Sequence, residues 1–251
     1  MNASDARTDL PRSAAALERR AAQGRPARLW LRDDDAVADT PALGRLIEWS
    51  SRHGVPVLLA VIPADARKNL VRRLTAAPAL TPCQHGLAHR NYAPEGGKSA
   101  EFGAHRPLAA MIGDLERGQS RMRELFGPRA APVFVPPWNR VTPDLLAPLA
   151  GLGFTSVSTF GPAHLPHADI TEINTDLDII GWRSGKIGRA LPDLDENFAR
   201  LLGAAGDAPV GILTHHLAHD AAAWRFLEAL GGIAGAIWID ITRCHSEDTR
   251  G

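Results

Sequence analysis

The sequence predicts an α/β fold: a (β/α) barrel, closed or distorted, built mostly of parallel strands. Three observations point there. Apolar runs of strand length alternate with amphipathic stretches of helix length. An early run, "VPVLLAVIP", is continuously apolar, as a strand covered on both faces is. Clusters of chemically capable residues fall at the ends of such runs, where parallel α/β folds carry their sites. The large number of strand–helix units favours a barrel over an open doubly wound sheet. No low-complexity linker separates two halves of the 251 residues, so one domain is expected over 27–245. A helix and lead-in occupy 1–26, and a polar tail 246–251.

In order along the chain, an alanine-rich helix around Ser13 to Gln23 is stopped by Gly24 and Pro26. "ARLWLR" is a strand that runs into three aspartates. "TPALGRLIEWSSRHG" opens on a threonine cap with proline at its first helical position and closes on Gly54. After the strand "VPVLLAVIP" come a helix at "ADARKNLVRRLTA" and a strand, "ALTPCQHG", that ends at a histidine pair. "NYAPEGGKSAEFG" is a loop rich in turn residues. "HRPLAAMIGDLERGQSRMRELFG" is a long amphipathic helix with a glycine stop, "APVFVPPWN" a short strand, and "TPDLLAPLAGLG" a second threonine-capped helix. "FTSVSTF", "ITEINTDLDIIGW", "APVGILTHH" and "GAIWIDI" are the remaining strands. Helices at "DLDENFARLLGAAG" and "DAAAWRFLEALGG" lie among them.

Composition narrows the function. Basic and acidic residues balance at 28 each, so bulk electrostatics gives no pull toward nucleic acid or an anionic membrane. Short basic stretches such as "RKNLVRRL" read as solvated helix faces. The two cysteines, Cys83 and Cys244, lack Cys-x-x-Cys spacing and fit a reducing cytoplasm. The N-terminus has no apolar leader, and no apolar run approaches membrane-spanning length. The expectation is a cytoplasmic protein whose partner is a small-molecule or oligosaccharide substrate. Its oligomeric state is left open.

Four clusters sit at strand ends: "RDDDA", "QHGLAH", "VPPWNR" and "LTHHLAHD". Three adjacent carboxylates, Asp33, Asp34 and Asp35, repel one another unless a cation or protons neutralise them. A solvated acidic loop before a helix is the plainer explanation for such a run taken alone. His85 and His89 are four apart but lack the intervening glutamate of a zincin helix, and Gly86 suits a strand-to-loop turn better than a helix. Two imidazoles with one carboxylate form a set that suits Zn²⁺ or another first-row divalent ion, with positions left open. Such an ion lowers the pKa of bound water and polarises a carbonyl. A spare aspartate would take the water's proton, and a histidine of "LTHHLAHD" would protonate a leaving group.

With these clusters in this order, the chain resembles the polysaccharide deacetylases of the NodB-homology type, carbohydrate esterase family 4. The matching stretches are "RDDDAVADTP", "HGLAH", "FVPPWNR", "DLDIIGW" and "ILTHHLAHD", spanning roughly residues 28 to 220. The resemblance implies a distorted (β/α) barrel with one bound divalent ion, zinc first, with cobalt, nickel, manganese and iron as alternatives. It implies an N-deacetylase of acetylated amino sugars, or a hydrolase of a related small amide or of another non-sugar C–N bond. Carried over, His85 and His89 are metal ligands. Two registers remain for the aspartates: Asp34 as base with Asp35 as ligand, which keeps Asp39 and Thr40 in step, or Asp33 as base with Asp34 as ligand. His215 is the general acid, with His216 its rival because adjacent strand residues face opposite sides. His219 lies further along, toward the helix start. Pro137, Trp138 and Asn139 would wall the substrate side, with Asn139 or a local backbone N–H holding an oxyanion. Asp178 and Trp182 match a fourth segment loosely. Glu101 and Phe102 belong to a loop that would cover the site.

Three departures stand out. Val135 occupies the place of the family's arginine, with Arg32 and Arg140 as nearby substitutes. Gly86 stands where serine or threonine is usual, and Ala36 where glycine is. The missing arginine raises a rival reading: a barrel that keeps its metal but has lost catalysis and serves as a binding or regulatory module.

Overall fold

The computed structural model describes residues 7–182 and 185–244; the expected tail at 246–251 and the first residues of the lead-in lie outside them. From the N-terminus the elements are α1 (Pro11–Ala22), β1 (Ala27–Ala36), α2 (Pro41–His53), β2 (Val57–Val61), α3 (Lys68–Thr75), β3 (Leu80–His85), α4 (Leu108–Phe126), β4 (Val133–Val135) and α5 (Leu146–Gly151). Short strands follow: β5 (Ser156–Val157), β6 (Thr171–Glu172), β7 (Leu177–Asp178), β8 (Ile180–Gly181) and β9 (Ile187–Gly188). Then come α6 (Leu191–Ala204), β10 (Val210–Thr214), α7 (Ala221–Gly231) and β11 (Ala236–Trp238). The alternation and the parallel pairing are those of the expected (β/α) class.

Two compact units divide the chain. The first comprises residues up to 33, 40–57 and those from 175 onward. Here β10 runs parallel to β1, with Leu29 opposite Val210 and Asp33 opposite Thr214. β11 pairs with the start of β1, and β7 with β10. Glycine is required at position 211, because a Cβ there would lie 2.7 Å from the Trp30 ring. Helix α2 forms where the sequence places it. The Thr40 hydroxyl accepts from Leu43 N–H at 3.1 Å, Pro41 opens the first turn, and Gly54 ends the helix at φ 64°. Helix α1 docks on α6 through Asp195. That carboxylate accepts from Arg12 N–H at 3.0 Å, Ser13 N–H at 2.8 Å and the Ser13 hydroxyl at 2.7 Å, and so satisfies amides that no intrahelical partner reaches.

The second unit comprises 34–39 and 58–174. Its strands lie in the order β2, β3, β4, β5, β6, and β3, β4, β5 and β6 pair in parallel. His85 stands opposite Val135 in the register of β3 with β4. Phe102, Leu115, Phe134, Leu149 and Phe154 fill the core beneath them. The Phe102 and Phe134 rings meet edge to face at 5.2 Å.

Three local expectations change. The helix expected from Ala64 starts only at Lys68, after a 3-10 turn at Pro63–Asp65. Its early amides are spent elsewhere: Ala64 N–H donates to Leu87 O and Arg67 N–H to Val37 O. Thr142 does not cap a helix N–H, and a 3-10 turn at Pro143–Leu145 precedes α5. "ITEINTDLDIIGW" is not one strand but β6, β7 and β8. The Asp178 carboxylate accepts from Ile180 N–H at 2.9 Å, an Asx turn that breaks the ladder. Among the described residues no helix is long and apolar enough to cross a membrane.

Candidate functional site

Strand β3 delivers His85 to its carboxyl end, and the chain then turns sharply through Gly86 at φ 57°. Gly86 N–H donates to Val135 O at 3.0 Å. The Glu101 carboxylate accepts from Leu87 N–H at 3.2 Å and Ala88 N–H at 2.9 Å. This turn brings His89 back beside His85, with ring centroids 5.2 Å apart. Asp35 comes from the end of β1, where the backbone leaves strand geometry at φ 72°.

These three side chains converge. Asp35 Oδ1 lies 3.2 Å from His85 Nε2 and 3.5 Å from His89 Nε2. One ligand atom from each falls within 4.8 Å of the others. His85 Nδ1 donates to Val135 O at 2.9 Å, since a carbonyl can only accept, and this tautomer turns the Nε2 lone pair toward Asp35. Two electron-rich atoms at that distance need a proton or a cation between them. Burial alone would lower the His85 pKa. The hydrogen bond that a protonated His85 Nε2 gives to Asp35, with the charges of Asp34 and Asp35, outweighs it and raises the value. His89 is lowered, first by burial and then by the neighbouring His85, which keeps its imidazole neutral for coordination. The donor set therefore fits a divalent ion.

Backbone strain marks the same residues. Asp35, His89, Trp138, Asn139 and Lys186 are the non-glycine positions with positive φ among the described residues. Four of these five were singled out from the sequence as site residues. Such conformations cost free energy and persist where the surroundings impose them. The Trp138 ring packs on His89 at 4.2 Å between centroids, and Pro137 beside it is buried. Asn139 N–H donates to Pro136 O at 2.9 Å within the same turn.

The aspartates have different surroundings. Asp33 is fully buried, and its Oδ1 meets His216 Nδ1 at 2.5 Å. Asp34 is almost as buried, at 2% exposure, and acts on His85 through its charge. Of the two registers, the geometry gathers Asp35 with the histidines and gives Asp33 a different partner. His215, half-buried, meets the Trp182 ring edge to face at 4.5 Å. Trp182 Nε1 in turn donates to Asp178 Oδ2 at 2.8 Å, so the fourth sequence segment lies beside the fifth. His219 contacts the Thr214 hydroxyl and the edge of Trp224. Glu101 holds the ligand turn rather than opening to solvent, and Phe102 is core. The grip of Glu101 on that turn was missed in the sequence. Its one trace there is Gly86 standing where the resembled family has serine or threonine.

No family model and no curated protein matches the sequence. Solved structures do match its fold. A Mycobacterium smegmatis protein provisionally classed as a polysaccharide deacetylase aligns over 90% of this chain and 92% of its own, with a TM-score of 0.65 at 14% identity. The chitin deacetylase of the fungal pathogen Colletotrichum lindemuthianum aligns over 88% of each chain, with a TM-score of 0.58 at 16% identity. A CE4 family pseudoenzyme from Bacillus anthracis aligns over 89% of this chain and 62% of its own, with a TM-score of 0.54 at 14% identity. The chain has the fold of the family 4 carbohydrate esterases. The distorted (β/α) barrel implied by the sequence motifs is thus its architecture. Within the esterase fold, Asp35, His85 and His89 stand at the carboxyl ends of β1 and β3, where this class of fold carries its chemistry.

Proposed function

We propose that this protein is a divalent-metal-dependent amide hydrolase that removes the acetyl group from an acetylated amino sugar or a related small amide. The observation that carries this reading is the convergence of Asp35, His85 and His89 ligand atoms within 4.8 Å of one another. A two-imidazole, one-carboxylate set suits zinc first and cobalt, nickel, manganese or iron after it. When bound, the ion supplies Lewis acidity that polarises the amide carbonyl and acidifies water. The remaining chemistry falls to side chains. Asp34, next to Asp35 and nearly excluded from water, takes the proton of the attacking water. His215 follows Thr214, which pairs with Asp33 across β1 and β10, and it delivers a proton to the departing nitrogen. The Trp182 edge holds its ring. Trp138, Pro137 and Asn139 form a wall beside His89, suited to an acetyl methyl and a sugar face. The fold likeness to a chitin deacetylase supports the substrate class. Cysteine usage suits a reducing compartment.

A second reading has its own support. Val135 replaces the arginine of the resembled motif, and one fold neighbour is a pseudoenzyme. The chain would then be a metal-binding module without turnover. Acetate release from acetylated sugars and small amides by zinc-loaded protein separates the two. Hydrolysis is expected, with Asp34→Asn lowering kcat by roughly 10²–10⁴-fold at unchanged metal content. His85→Ala is expected to lose the ion itself. Metal-replete protein that releases no acetate from any of these substrates would overturn the hydrolase and leave the module.

A further inference from the structure

We infer that Glu101 is a positioning residue for the metal centre, a buried carboxylate that clamps the turn between the two histidine ligands. The inference rests on the metal-dependent reading above. Only three residues separate His85 from His89, and the amides of all three are tied. Gly86 N–H goes to Val135 O, whereas Leu87 and Ala88 N–H both go to Glu101, one to each carboxylate oxygen. Hydrogen bonds to a charged acceptor are roughly twice as strong as neutral ones. They are set against a real cost, because His89 is held at φ 51°, where a residue with a side chain rarely rests.

Glu101 is itself immobilised. Its carboxylate is buried, with the residue 1% exposed. Its carbonyl accepts from Arg106 Nη1 at 2.8 Å, and Arg106 Nη2 donates at 2.8 Å to the buried Asp114 of α4. A continuous polar line thus runs from the long helix through Arg106 and Glu101 to the ligand turn. Every link lies in the second unit.

Gly86 is the other half of the arrangement. A Cβ at this position would overlap the Glu101 carboxylate and sit 2.6 Å from Pro137 Cγ. The serine or threonine of the resembled motif has no room here, because the clamp occupies its space. The departure at Gly86 and the buried glutamate fifteen positions downstream are one adaptation.

The test is cobalt(II) binding to the full chain, followed by competition titration and by visible absorption, in wild type, Glu101→Gln and Glu101→Asp. The glutamine variant turns one acceptor into a donor against an amide. The aspartate variant keeps the charge but cannot span both amides. Each is expected to weaken cobalt affinity by about 10–100-fold, as loss of outer-shell support does, and to change the absorption bands. Amide exchange at Leu87 and Ala88 should accelerate in the metal-free protein. Wild-type affinity and spectrum in either folded variant would overturn the clamp. Should wild type itself take up no cobalt, the hydrolase reading falls first. Glu101 would then be a turn clamp with no metal to serve, which also overturns the inference.

Discussion

Asp33, Asp34 and Asp35 look alike in sequence, and the structure separates them by partner. Asp35 reaches His85 and His89, 50 and 54 positions further along the chain, from a backbone held at φ 72°. Asp33 instead meets His216, 183 positions away, a pairing that no local pattern encodes. The preference for Asp35 as ligand was readable only because Asp39 and Thr40 stay in register with the motif. His219 shows how burial sets a titration. Its pKa is pushed down to about 4, first by burial, with the charges of Asp33 opposing and those of His216, His215 and Arg45 adding. An unfolded histidine titrates near 6.5, so below that value the unfolded chain takes up a proton that the folded chain refuses. The stability contributed by neutral His219 is therefore present above pH ~6.5 and falls as pH drops toward ~4. Urea midpoints measured between pH ~7 and ~4.5 should decline less steeply in His219→Gln than in wild type, by at most ~1.4 kcal/mol per pH unit for one proton. Parallel declines in the two proteins would show that folding leaves the His219 pKa unchanged.

At the scale of elements, legibility tracks how local the cause is. Helix α2 was readable end to end because Thr40, Pro41 and Gly54 act within their own turns. Thr142 carries the same signal before a proline and fails as a cap, because a 3-10 turn intervenes before α5. The stretch 170–182 broke into short strands through side chains: Asp178 takes Ile180 N–H, and Asp176 takes Gly211 N–H from β10 at 2.8 Å. Apolar periodicity cannot report either. Helix α1 was expected from its alanine-rich pattern, but its anchor was not, since Asp195 lies some 180 residues downstream. That anchor makes a testable energetic claim. Asp195→Ala removes the acceptor of the Arg12 amide and of the buried Ser13 amide, leaving the Ser13 hydroxyl only the backbone carbonyl of residue 195, at a cost of about 1–3 kcal/mol. Denaturant midpoints give the magnitude, and limited proteolysis should cut first between α1 and β1. A variant as stable as wild type would mean that the buried Leu17 and the Arg20 contacts to Leu202 and Gly206 carbonyls hold the helix without Asp195.

Across the whole molecule, the metal reading makes stability depend on an ion. The ligands are brought together only by the fold: Asp35 sits 50 residues before His85 in the chain, His85 is held by the Val135 carbonyl, and His89 is placed by the Glu101-bound turn before it and by the Trp138 ring. An ion that binds this arrangement and not the unfolded chain stabilises it by mass action, by about 2.7 kcal/mol at a hundredfold excess over Kd. For chains of this size each kcal/mol moves Tm by roughly 2–4 °C. Zinc in that excess should therefore raise Tm by several degrees, and a chelator should reverse the rise while leaving the far-ultraviolet dichroism of a folded α/β protein. His85→Ala and Asp35→Ala should each abolish the rise. Asp34→Asn should keep it, because the proposed mechanism gives Asp34 the proton and not the ion. Calorimetric scans with and without zinc decide the matter. A zinc-dependent rise that survives loss of His85 would put the ion elsewhere and strip the proposed base and acid of the centre they are meant to serve.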